Sequence, residues 1–191
     1  MRYFFAFVCV FCSVGLFAQN LDSLFKAHDT EYSFAEKVYV ANVTAAQLYK
    51  RADRYIRITY SEDNQARIER SENRQRITVY AVMPYEQGFS DAGHKSISGK
   101  VTYRLTIAAM NGAFEYKYDL FEHIPQNPKA PKLGHLIAEE TCPYEEVKGS
   151  EEWKNKAWED VKSEVFEWTH PQSGALKTVM FTVNPEETMG R

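Results

Sequence analysis

VTYRLTIAAM-NG-AFEYKYDLF, residues 101–121, decides the fold. Two runs of alternating apolar and polar side chains flank Asn111-Gly112. An Asn-Gly pair in that setting marks a two-residue hairpin turn, because both turn positions need positive φ. Pairing Met110 with Ala113 puts Ala109 opposite Phe114, Ile107 opposite Tyr116, Leu105 opposite Tyr118 and Tyr103 opposite Leu120. All eight are apolar or aromatic, so this face is expected to be buried. The other face pairs Ala108 with Glu115, Thr106 with Lys117 and Arg104 with Asp119, and is expected to meet water. A slip of one residue would exchange the two faces, so the register is well specified.

Upstream, Phe34 to Val40 alternates as a strand. Thr44 with Gln47 three residues on forms a capping box, and Ala45, Leu48, Ala52, Tyr55, Ile56 and Thr59 then make one helical stripe. Ala66–Glu69 and Arg76–Met83 read as strands joined across residues 71–74, with Pro84 ending the second. Downstream, residues 124–149 are irregular, punctuated by Pro125, Pro128, Pro131, Gly134, Pro143 and Gly149. Ser150 caps a second helix, with Glu151 and Glu152 in its first turn, and Trp153, Ala157, Trp158, Val161, Val165 and Trp168 share a face. His170-Pro171 to Gly174 is expected to close that helix, and Lys177–Val183 to form a last strand. The order of elements describes an α+β domain: an antiparallel sheet, polar on one face and aromatic on the other, with helices packed on one face. The expected layout is a leader at 1–18, a polar lead-in at 19–31, a core at 32–123, an irregular region at 124–149, a tryptophan-rich helix and strand at 150–183 and a tail at 184–191.

Two stretches resemble a known family. Val38-Tyr39-Val40 followed by Ala45-Ala46-Gln47-Leu48-Tyr49-Lys50-Arg51-Ala52 is similar to the strand and "LYxxA" helix of domain-of-unknown-function family 4468. Val101 to Ile107 and Asn111 to Tyr116 resemble its hairpin. The resemblance runs over roughly residues 33–123. It implies a curved sheet with a TATA-binding-protein-like fold, in exported bacterial proteins of unknown role, and brings no catalytic residues with it. Ala109 and Met110 stand where the family tends to be charged, and the tryptophan-rich helix lies beyond the resemblance.

Met1-Arg2 followed by an uncharged run from Tyr3 to Phe17, with Ala18 before Gln19, has the layout of a cleaved secretory signal peptide. The run is 15 residues, short of the roughly 20 a membrane-spanning helix needs. Val8 before Cys9 and Phe11 before Cys12 are not the small residues that lipid attachment requires. The expectation is therefore export to the periplasm or beyond, with no membrane span in the mature chain. Only Cys142 survives cleavage, so no intramolecular disulfide can form and packing must hold the fold. At 44% apolar and 14% aromatic residues, the chain can build that core. The formal net charge is −3, and one more negative without Arg2. The basic residues of Lys50–Arg76 are interleaved with Asp53, Glu62, Asp63, Glu69 and Glu72. Charge and layout both argue against nucleic acid, which needs clustered positive charge.

No phosphate loop, nucleophile elbow or metal-ligand spacing occurs, and the five histidines (His28, His94, His123, His135, His170) are scattered. No cofactor, metal or catalytic residue is assigned. The hairpin turn lies at one end of the sheet, so the loop at 84–99 and the stretch from Glu122 onward must meet at the other. They would bring Tyr85, Phe89, His94, His123 and Tyr144 together as a rim for a protein, peptide or carbohydrate. The leading expectation is a non-catalytic binding or interaction module of the bacterial envelope. Alternatives are a periplasmic hydrolase or transferase using His94 or His123 as base, and a structural component assembling through the C-terminal helix.

Overall fold

Thr44 caps the first helix as its spacing to Gln47 predicts. Its Oγ1 accepts from the Gln47 N–H at 3.3 Å, and Gln47 Oε1 accepts from the Thr44 N–H at 3.0 Å. The structure, a computed structural model, describes residues 31–89 and 96–183. The expected leader, nearly all of the lead-in, His94 and the tail lie outside the described residues. The elements are β1 (Phe34–Tyr39), α1 (Ala45–Tyr60), β2 (Arg67–Ser71), β3 (Arg76–Tyr85), β4 (Gly99–Met110), β5 (Ala113–Pro125), β6 (Gly134–His135) and α2 (Glu151–Phe181). A short 3-10 turn, Glu72–Arg74, joins β2 to β3. Every strand pairing is antiparallel, in the order β1-β5-β4-β3-β2, and β6 adds to the far half of β5.

The hairpin register holds from Met110↔Ala113 to Arg104↔Asp119. Phe114, Tyr116 and Tyr118 are buried beneath α1 and α2. Trp168 of α2 meets Tyr103 and Tyr118 with ring centroids 4.8 and 6.3 Å apart, and Tyr60 of α1 shares a 3.1 Å hydrogen bond with Tyr103. Both helices therefore cover the same face, and burying each large apolar side chain stabilises the fold by about 1.5–3 kcal/mol.

Several expectations need correction. Strand β3 runs through Pro84 to Tyr85, and of the two turn positions Gly112 alone has positive φ. Tyr103 does not pair with Leu120: the register shifts by one between Thr102↔Glu122 and Arg104↔Asp119, a β-bulge in which Leu120 and Phe121 together oppose Tyr103. Phe121 takes the inward place and Leu120 turns outward. The polar hairpin face is also less wet than expected, because Asp119 and Lys117 are buried with Glu31 closing over them. Finally, Lys177–Val183 is no strand, and α2 runs through Pro171 to Phe181. Thr169, Ser173, Leu176 and Met180 continue the buried stripe of the earlier turns, and Pro171 sits on the exposed side, where a freed carbonyl can be hydrated. Among the described residues no helix is long and apolar enough to cross a membrane.

Candidate functional site

The long loops do meet at the end of the sheet away from the Asn-Gly turn. Gln126 N–H donates to Ser98 O, Gln87 N–H to Ser98 Oγ and Ile97 N–H to Gln87 Oε1, at 2.8 to 2.9 Å. A Cβ on Gly99 would lie 2.3 Å from Ile124 O, so only glycine permits this approach of β4 to β5. Tyr85 and His123 come together edge to face at 5.4 Å, yet both are buried. Tyr85 donates to Asp160 Oδ2 at 2.6 Å, and burial beside that carboxylate pushes its phenol pKa up. His123 Nδ1 accepts from Leu133 N–H at 3.2 Å, which leaves Nε2 as the donor to Ile97 O at 2.8 Å. Burial holds this neutral imidazole below the usual histidine range. With both ring nitrogens engaged and no water access, the ring has no lone pair to offer a substrate. Phe89 packs on Trp153, with Lys156 over its ring, and Tyr144 packs on Trp158 and donates to His135 O. The loops are thus clasped onto α2. His94 lies outside the described residues.

The opposite, helix-free face of the sheet has the more distinctive geometry. Cross-strand register aligns four rows on it: Val82·Thr102·Glu122·His135, Arg67·Tyr80·Arg104·Asp119, Glu69·Thr78·Thr106·Lys117 and Ser71·Arg76·Ala108·Glu115. Arg104 forks onto Asp119 with two 2.7 Å bonds, and Lys117 Nζ lies 3.0 Å from both Asp119 Oδ2 and Glu31 Oε2. Two cations and two anions close a balanced network. Arg67 stacks over the Tyr80 ring at 4.2 Å, and Lys132 pairs with Glu122 at 2.6 Å.

Beside this network lies a cavity of about 490 Å³, within the range of small-ligand sites, lined by Arg67, Tyr80, Val82, Thr102, Leu120 and His135 among others. Leu120 sits in it with φ +54° and 42% exposure. Its N–H donates to Glu31 Oε1 at 3.3 Å, so the residue that completes the charge network also pins the bulge. A bulky residue in the left-handed region is a genuine outlier, maintained only where its surroundings over-determine it. Sequence reasoning placed Leu120 in the core. The available signal was Leu120-Phe121, two adjacent apolar residues that break the alternation after Asp119. Among the described residues no three His, Cys, Asp or Glu side chains converge as a metal site.

Comparison with known proteins agrees with this architecture. Residues 34–123 match the family "Domain of unknown function (DUF4468) with TBP-like fold", the family that the sequence motifs resemble. A crystal structure of a TBP-like protein from Parabacteroides distasonis ATCC 8503 superposes with a TM-score of 0.56 at 12% identity, covering 77% of this chain and 93% of that one. A DUF4468 family protein from Bacteroides ovatus ATCC 8483 gives 0.55 at 13% identity, with 79% and 88% covered. At such identities the likeness speaks for the fold alone. No curated protein matches the chain in sequence.

Proposed function

We propose that the protein is a non-catalytic binding module of a bacterial envelope compartment, taking its ligand on the helix-free face of the sheet around Tyr80, Val82 and Leu120. The observation that carries this reading is Leu120: a leucine in left-handed backbone, exposed beside an aromatic side chain in a cavity of about 490 Å³. Strain retained without a packing return is a feature of binding sites. The sealed, doubly bonded His123 supports the non-catalytic part. Envelope location is supported by the leader-like residues 1–18.

Two experiments test it. Glycan and peptide arrays probed with the wild type, Tyr80→Ala and Leu120→Ser should show signals that both substitutions weaken. Signals untouched by either place the ligand elsewhere. For export, N-terminal sequencing of the protein from fractionated cells should begin at Gln19, whereas a cytosolic chain retaining Met1 removes the envelope assignment.

A further inference from the structure

Every cation of the four central rows except Arg76 has a carboxylate or ring partner among the described residues. Arg76 is half-buried, its Nε is sealed from water without an acceptor, and among the described residues no carboxylate lies within ion-pair distance. Its cross-strand neighbours, Ser71 and Ala108, are too small to fill the space beside it. Arg76 lines a second cavity of about 110 Å³ together with Thr78, Thr106, Arg104, Lys117 and Asp119, and Tyr80 belongs to the walls of both cavities. Arg104 and Lys117 share Asp119, and Lys117 also pairs with Glu31, so these two cations and two anions cancel and Arg76 leaves one positive unit over at this small cavity. Leaving a guanidinium partly desolvated and unpaired is costly, and an incoming anion would remove the cost.

Resting on the open-face reading above, we infer that this small cavity is a carboxylate subsite, in which the Arg76 guanidinium receives the carboxylate of an acidic sugar residue whose ring extends toward Tyr80 and Leu120. The planar fork of arginine matches a carboxylate, and one uncompensated charge suits a monoanion better than a phosphate dianion. Thr78 and Thr106 are cross-strand neighbours whose hydroxyls form no bond within the described residues, which leaves them to meet sugar hydroxyls. The ladder hydrogen bonds of β3 and β4 are used within the sheet. A ligand lying across these inner strands therefore meets side chains alone, which suffices for a saccharide, whereas an extended peptide would have to lie along the outer edge of β2 to pair its backbone.

The test is calorimetric titration with the trisaccharide of galacturonic acid and with its methyl ester, which keeps the sugar and removes the charge. Wild-type protein should bind the acid at least about tenfold more tightly than the ester, because a charge-assisted bidentate bond is lost. Arg76→Gln should bring the acid down to the level of the ester and leave the ester unchanged. Arg76→Lys, which keeps charge but not the fork, should fall between. Circular dichroism checks that both variants fold. An acid that does not bind, binds no better than its ester, or is indifferent to Arg76→Gln overturns the carboxylate assignment. Tyr80→Ala and Leu120→Ser separate the two readings: acid and ester binding alike but lost in these variants would sink the subsite alone. Binding that survives both variants would sink the open-face site itself.

Discussion

A leucine in the left-handed region costs about 1–2 kcal/mol relative to glycine, and at Leu120 burial does not repay it, since the side chain stands outside the core. Leu120→Gly should therefore raise unfolding free energy by about 1 kcal/mol in urea titrations while weakening ligand binding. A variant that loses stability would mean that the leucine packs where its exposure says it does not. His123 makes the converse case of a polar group held for structure. Its imidazole is neutral in the fold because burial disfavours the cation, so its pKa lies below the ordinary 6.5. The unfolded chain then binds the proton first. The stability this provides is complete above about pH 6.5 and is lost as the pH falls through the lower, folded value. Between pH 6.5 and 5 the urea midpoint should fall in the wild type and fall less steeply in His123→Gln. The carboxylates of Glu36 and Glu122, held low by lysine and tyrosine partners, titrate below that window.

The elements divide according to how local their causes are. The hairpin was legible from sequence because its register depends on alternation and one Asn-Gly turn, both written within 21 residues. The capping box at Thr44 was legible for the same reason. The bulge at Leu120 is only half legible: the Leu120-Phe121 pair breaks the alternation, but Glu31, 89 residues away, pins it. The end of α2 was missed in another way. Pro171 and Gly174 are local stop signals, but Leu176 and Met180 find burial, and the carbonyl of Met180 accepts from Arg51 Nη1 of α1 at 2.8 Å. Tertiary packing outweighed two unfavourable residues. Met180→Ala should accordingly cost about 2–5 kcal/mol, as a core truncation does, although the position lies beyond the expected helix end. Pro171→Ala should instead add about 1–3 kcal/mol by restoring the hydrogen bond to the carbonyl of residue 167. If both changes proved neutral in thermal unfolding, the last turns of α2 would not be docked. The open-face rows were illegible for a further reason: each collects residues from at least four separate strands, and no spacing within one segment announces them.

At the scale of the molecule, the region matched by the family ends at residue 123, but the folding unit does not. Trp158, Val161, Val165, Leu176 and Met180 are completely buried, and Trp168 lies against Tyr103 and Tyr118. The loops at the far end depend on the same helix, because Asp160 accepts from both Tyr85 Oη and Gly88 N–H, and Trp158 Nε1 donates to Glu139 O. Without α2 the sheet would keep α1 over part of its aromatic face and expose the rest to water. The lost burial is several large side chains at roughly 1.5–3 kcal/mol each, comparable with the whole 5–15 kcal/mol stability of a typical domain. A chain ending at residue 149 should then keep much of its far-UV circular dichroism, lose the near-UV signal of its packed rings and bind 8-anilinonaphthalene-1-sulfonate. It should also unfold without a sharp urea transition. A cooperative transition with native near-UV intensity in that shortened chain would show that the sheet and α1 stand alone. The C-terminal helix would then be an attachment to the domain, not half of its roof.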